Sequence, residues 1–366
     1  PEQYRGRLFM NNIHGNRMNN DSLEQVGSGF VAHHEEDFLL ANDAWYRGIN
    51  MKYGPDGQVY FIDWYDERAC HSQEPEVWDR TNGRLYRVRY GEQKPVAVDL
   101  SKASTPELCE MQLSANDWFV RQARLELAKR KPAQALQPLV TQLQTQEDAP
   151  RRLRALWALH ACGLASPELL LPLLEDREPY IVAWSVQLLT ESGAPSDTVR
   201  AALVELAGRT QSPVVRLYLA SSMQRMGGDF PMAQALLAHG EDGDDANLPT
   251  LLWYGVEPLV AQDPERAIAL AKDAQSESIQ RFLVRRAAAE GATRDPLVAE
   301  LAQARDLAWR DLLLEELDLA LRDQRNVPMS QAWPAVYQRL AQDDSADARD
   351  RALWIAVAFQ DANVAP

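Results

Sequence analysis

The chain has 366 residues, more than one ordinary domain needs, with 38 Lys and Arg against 53 Asp and Glu and a formal net charge of −15. A surface that acidic does not wrap nucleic acid, whose phosphates demand clustered cations. Hydrophobic residues make up 46% of the chain, enough for a sizeable core, and no run of about 18 apolar residues is present to cross a membrane. Pro1 stands where an initiator Met would, with no charged-then-apolar leader behind it; the chain therefore reads as a piece of something longer. Three scattered cysteines, Cys70, Cys109 and Cys162, make no disulfide framework.

Residues 1–92 have a β texture and hold 9 of the 18 glycines and 4 of the 6 histidines. Arg7 to Asn11 is a short strand-like run ending in an Asn/His/Gly cluster. Gly48 to Tyr53 alternates, with Ile49, Met51 and Tyr53 on one side and Asn50 and Lys52 on the other. Gly54-Pro55-Asp56-Gly57 follows, Pro fixing one φ and Gly permitting a positive one, which is a turn signal. Gln58 to Trp64 is a second strand rich in β-branched and aromatic residues, and Gly83 to Tyr90 a third. Strand, tight turn, strand, polar loop and strand is the layout of a propeller blade, and residues 7–40 repeat it incompletely. That amounts to one to two blades, where closure needs at least four. His33-His34-Glu35-Glu36-Asp37 reads as a solvated loop.

Residues 93–102 read as a linker, and from residue 103 the texture is helical. Helices beginning near Asn116, Pro150, Pro179 and Ser212 share a pattern in which Val120, Leu153, Val182 and Val215 correspond, 33, 29 and 33 residues apart. Pro167 to Leu174 and Ser196 to Leu206 are the helices between them, with Ser166 and Ser196 as N-caps. Helix pairs at this period stack as an α-solenoid of HEAT type. Repeats therefore occupy 103–240 and, after an acidic loop at 241–248, 249–366. Trp118, Trp157, Trp184 and Trp253 read as core, His160 as packed or cap-bonded, and Cys109 and Cys162 as small buried hydrophobes.

One set of motifs is distinctive: Asn12-Ile13-His14-Gly15-Asn16-Arg17, Gly27-Ser28-Gly29-Phe30, Asn42-Asp43-Ala44-Trp45-Tyr46-Arg47, Asp63-Trp64-Tyr65-Asp66, Cys70-His71 and Trp78-Asp79-Arg80-Thr81-Asn82-Gly83-Arg84. It resembles the last blades of the large secreted membrane-bound dehydrogenase family of planctomycete and verrucomicrobial type. The resemblance is close over residues 1–92 and looser over the helical part. It implies a quinoprotein-like β-propeller followed by HEAT-like repeats, often with a haem c domain, and an extracytoplasmic place of work. It also implies quinone-dependent oxidation of a sugar or alcohol, with pyrroloquinoline quinone and calcium as cofactors. A c-type haem needs Cys-x-x-Cys-His, and Glu67 stands where the first Cys would be.

Each site candidate carries two readings. His14 is a general base, with Asn16 and Arg17 bonding a sugar or an anionic quinone; or His14 and Asn16 satisfy backbone groups in a turn. Asp43 and Arg47 are a carboxylate and a guanidinium clamp flanking the Trp45 platform, which suits a sugar; or they form an ion pair around a buried Trp45. Asp63, Asp66 and His71 hold a metal ion; or the acids belong to a structural network with Arg80 and Arg84. The expectation is a partial propeller joined to a HEAT-type solenoid, acting in sugar or alcohol oxidation. Its rival is a non-catalytic scaffold in which the blades recognise carbohydrate and the solenoid a protein partner.

Overall fold

The computed structural model describes residues 2–69, 81–92, 96–324 and 327–364. They fold as a mostly helical chain with two small antiparallel sheets near its start, and no helix among them is long and apolar enough to cross a membrane. Packing divides the chain into two compact units, Pro1–Ser166 and Pro167–Pro366.

The first unit opens with β1 (Leu8–Asn12), β2 (Arg17–Val26), β3 (Gly29–His34) and β4 (Leu39–Leu40). β2 is the spine of this sheet: it pairs β1 along its first half, β3 along its second, and β4 at its start. A second sheet follows in the order β5 (Gly48–Tyr53), β6 (Val59–Asp63), β7 (Arg84–Val88). β5 has the bounds the sequence indicates, and the Gly54 to Gly57 turn closes through Gly57 N–H donating to Gly54 O at 3.0 Å, with φ +75° at Gly57. The alternation along β5 breaks, however, because the register shifts between Ile49 and Lys52 and Asn50 takes φ +56°. Asn tolerates that conformation, and the bulge it forms turns the strand's last residues. His33 and His34 are not loop residues: they end β3, with His34 Nδ1 2.9 Å from Asp21 Oδ1 and His33 Nε2 3.0 Å from Glu24 Oε2.

Met18, Tyr46 and Phe61 are the buried centre of this region, with Phe9, Phe38, Met51 and Tyr86 packed around them. β1 lies against β5, and Gly48 makes the approach possible. A Cβ there would land on the Tyr46 phenol and sit 2.8 Å from Asn11 Oδ1, the atom that accepts the Tyr46 hydroxyl at 2.9 Å. Gly48→Ala is therefore expected to cost about 1–3 kcal/mol of stability through overpacking, read as a lower urea midpoint with an unchanged slope. Four helices complete the unit: α1 (Thr105–Glu110), α2 (Asp117–Arg130), α3 (Leu136–Thr145) and α4 (Ala149–Ala161). Ser104 and Glu107 form a capping box on α1. Asn116 caps α2 through its oxygen, and its Nδ2 donates to Gly54 O (3.1 Å) and Pro55 O (3.3 Å), tying the helices to the β5–β6 turn. Cys109 and Cys162 are buried as the sequence suggests; burial pushes both thiols up, Cys109 to about 11. His160 stands on the exposed side of α4 and so is not packed in the core.

The second unit contains α5 (Pro167–Leu170), α6 (Pro179–Thr190), α7 (Asp197–Arg209), α8 (Pro213–Arg225), α9 (Phe230–Leu237) and α10 (Leu248–Gln262). It continues with α11 (Pro264–Asp273), α12 (Glu277–Ala289), α13 (Gly291–Gln303), α14 (Leu307–Leu321), α15 (Trp333–Leu340) and α16 (Ala346–Ala358). The even-numbered helices from α6 to α16 pack each on the next, and the odd-numbered ones from α7 to α15 do the same, giving two layers of repeated helix pairs. Pro at the first turn opens α6, α8, α9, α10, α11 and α15, where its missing N–H is not needed. Ser196 caps α7 as the sequence indicates.

The tryptophans correct one expectation. Trp118, Trp157, Trp184 and Trp253 are half-buried rather than core. In the second unit they form surface pairs, Trp184 with Tyr218 at 6.2 Å and Trp253 with Phe282 at 5.4 Å between ring centroids. The acidic stretch after α9 is a second departure. Residues 240–244 wind into a 3₁₀ turn that buries Asp242 against Arg216.

Candidate functional site

Of the polar residues singled out in the sheets, Asp43 and Asp63 meet Arg84 at one end of β5 and β6. Asp63, the last residue of β6, uses Oδ1 to accept the N–H groups of Arg47 (2.6 Å) and Tyr65 (2.9 Å). That bond reverses the chain and places Tyr65 at φ +49°, a conformation bulky residues rarely adopt. Trp64 N–H donates to Arg47 O and Asp66 N–H to Trp45 O, both at 3.0 Å, so residues 45–47 and 64–66 are locked together. Asp43 makes the matching turn before β5, its Oδ1 accepting Trp45 N–H at 3.0 Å.

The result is an aromatic and ionic surface. Trp45, 37% exposed, meets Tyr65 with centroids 5.7 Å apart, and the Arg84 guanidinium lies 3.5 Å over the Tyr65 ring. Arg84 also reaches Asp43 Oδ2 (3.4 Å), the Tyr86 hydroxyl (3.3 Å) and, at 3.9 Å, Asp63 Oδ2. The Trp45 N–H first, and then Arg84, hold the Asp43 carboxyl below the usual carboxylate range. Asp63 Oδ2 is buried without a hydrogen-bond partner among the described residues. Burial and the nearby Asp63 charge push the Tyr46 phenol up to about 12.

The other candidates go elsewhere. Arg47 is 7% exposed and faces inward, donating to Tyr46 O (2.8 Å) and Glu67 O (2.7 Å). It makes no pair with Asp43, whose cation is Arg84, a residue named only as a possible partner of the acids downstream. Asn16, at φ +51°, donates through Nδ2 to Ala44 O (3.1 Å) and Tyr46 O (2.9 Å), stapling the β1–β2 turn to the segment before β5. Arg17 pairs with Asp37 at 3.1 Å. His14 is exposed on that turn; its backbone N–H donates to Asn12 Oδ1 at 3.2 Å, and its ring has no hydrogen bond among the described residues. Asp66 is buried and accepts Arg68 N–H at 3.3 Å. His71 lies outside the described residues.

Among the described residues, the candidates named for it do not bring together the cations and oxygens that a quinone held beside calcium needs. A polyanionic quinone needs cations presented to it, and the Arg47 and Arg17 heads are already spent on carbonyls and Asp37. Calcium needs several converging oxygens, and no three of the described Asp, Glu, His and Cys residues converge as a metal site.

A family model described as a domain of unknown function, DUF7133, matches residues 1–92. No curated protein matches the chain. Among solved structures, a designed armadillo repeat protein is 16% identical, covering 70% of this chain and 100% of its own, with a TM-score of 0.24. A second designed armadillo repeat protein, in complex with the peptide (KR)4, is 15% identical over 70% of this chain and 100% of its own, with a TM-score of 0.23. The complex of CpcE and CpcF of phycocyanin lyase from Nostoc sp. PCC7120 is 15% identical over 74% and 98%, with a TM-score of 0.22.

Proposed function

We propose that this chain is a recognition module whose sheet region binds carbohydrate at the Trp45–Asp43–Arg84 surface and whose helical layers serve a protein partner. The observation that carries the reading is an exposed indole held rigidly beside a carboxylate–guanidinium pair. A sugar presents an apolar face of C–H groups and a rim of vicinal hydroxyls. An indole covers the first, and a fixed carboxylate with a fixed guanidinium accepts from and donates to the second. Because Tyr65 already packs on Trp45 and under Arg84, little order is left to impose on binding, which lowers its cost.

The blade reading of the sheets goes with this. Tyr46 and Gly48 meet Asn11 at one end of β1, while Leu8 shares a groove with Tyr53 at the other, so β1 and β5 run in opposite directions. On the blade reading, with β5 as the first strand of its blade, that direction makes β1 an even-numbered strand of the preceding one. An extracytoplasmic setting, where polysaccharide is met, suits the same reading. Quinone-dependent oxidation of a sugar or alcohol with His14 as base has less support, since no described residue hydrogen-bonds the exposed His14 ring and a base needs fixed geometry.

The test is binding to a panel of neutral and acidic polysaccharides by affinity electrophoresis. Retardation by at least one glycan, lost in Arg84→Ala and kept in His14→Ala, is expected. Retardation by none, or dependence on His14 instead of Arg84, contradicts the proposal.

A further inference from the structure

The sheet region carries a second concavity, away from Trp45, that the carbohydrate reading does not use. It is an open groove of about 660 Å³ between the two sheets, floored by Phe9, Met18, Phe38, Met51 and Val88. The ring of Tyr4 stands edge-on to Phe9 and Phe38 at 5.8 and 5.2 Å, giving one wall a rigid aromatic face. Met18 and Met51 add adaptable, polarisable surface.

Charge around this groove runs against the rest of the molecule. The chain is acidic, with a formal charge of −15, yet no Asp or Glu is among the described residues lining the groove, and its rim carries Arg7, Lys52 and Arg89. Arg7 is paired with Glu35 at 2.5 Å. Lys52 and Arg89 have no carboxylate within reach among the described residues, whereas Arg17, Arg84 and Arg87 nearby all do. An apolar trough with two cations at its mouth that no described carboxylate pairs is complementary to one kind of occupant, an apolar chain ending in an anion. The volume lies in the range that encloses a small organic ligand.

We infer that this groove binds a long-chain carboxylate, the acyl chain lying between Phe9 and Val88 and the head group meeting Lys52 and Arg89. Dodecanoate, titrated below its micelle concentration and followed by calorimetry, is the probe, with dodecanol and dodecylamine as neutral and cationic matches. Dodecanoate is expected to bind about tenfold or more tighter than either, a preference that two cations at the mouth of an apolar groove supply. Lys52→Gln/Arg89→Gln should remove that preference, and Lys52→Glu/Arg89→Glu should invert it toward the amine. Both changes are on exposed side chains, so an unchanged circular dichroism spectrum checks the fold. Absence of dodecanoate binding, or equal binding of all three amphiphiles, overturns the inference. So does concentration-dependent dimerisation in sedimentation without dodecanoate binding, which gives the groove to a second copy of the chain. None of these outcomes touches Trp45, so the carbohydrate reading stands or falls separately.

Discussion

Asp242→Ala is expected to lower the unfolding free energy of the helical layers by about 3–5 kcal/mol, the cost of leaving a buried charge without its partner. Arg216 and Asp242 are each 2% exposed. Arg216 Nε donates to Asp242 Oδ2 at 2.7 Å and Nη2 to Oδ1 at 2.5 Å, a bidentate pair, while Nη1 reaches Thr210 O at 3.3 Å. Truncating the acid strands a guanidinium in the interior, with the exposed Glu241, 3.2 Å from Nη2, left to offset it. Urea unfolding followed by circular dichroism reads the loss. The double replacement Arg216→Met/Asp242→Leu should recover most of it, because burying neither charge removes the desolvation cost as well. If the single and double variants lose equal stability, the pair is not what holds residues 240–244 against α8.

Glu316→Ala is expected to cost a similar amount, about 3–5 kcal/mol, for a different geometric reason. The Glu316 side chain is fully buried and serves two cations from the neighbouring α12: Arg281 at 2.9 Å and Arg285 at 2.6 Å. Arg281 also holds Glu315 at 3.0 Å and Glu277 at 2.9 Å, and these acids together with Glu316 raise its pKa. Removing Glu316 takes from Arg285 the carboxylate it holds at 2.6 Å and sets two guanidinium groups beside an apolar gap. Hydrogen exchange should localise the effect, with amides of α12 and α14 losing protection while those of α6 and α8 keep theirs. Uniform loss along the layers would mean that the repeats do not respond to their nearest neighbours first.

Much of this architecture is legible in the residues because local rules and packing agree. Pro179 and Pro213 start helices where helices start, Ser196 caps one, and the GPDG turn closes between β5 and β6. What the residues hide is contact across the chain. Arg216 and Asp242 are 26 residues apart, and Asp242 sits in a run of acids and glycines that looks like solvated loop, so nothing local marks it as buried. The half-buried Trp184 and Trp253 are misread for a related reason. Periodicity shows that a helix has an apolar stripe, but in a two-layered array it does not show where the covered part of that stripe ends.

At the candidate site the sequence points to the neighbourhood and to Arg84 as a partner of Asp63, 3.9 Å away, but not to Arg84 as the partner of Asp43. Asp43 and Arg47 are four residues apart and of opposite charge, which suggests a pair. Asp63 instead fixes the Arg47 backbone at 2.6 Å, the Arg47 head turns inward, and Arg84 from β7 takes Asp43 at 3.4 Å. The one available signal was register: Gly48 pairs Asp63 and Asp63 pairs Arg84, so strand pairing brings Arg84 beside the segment preceding β5. Asn16 was legible as a turn residue, and the structure gives it that role.

The carbohydrate reading rests on Trp45, and calorimetric titration of the best-binding glycan into the protein and into Trp45→Ala tests it most directly. The account predicts saturable binding that weakens by about 10- to 100-fold in Trp45→Ala, the worth of one aromatic anchor, with an unchanged circular dichroism spectrum. Equal affinity in the two proteins would contradict it.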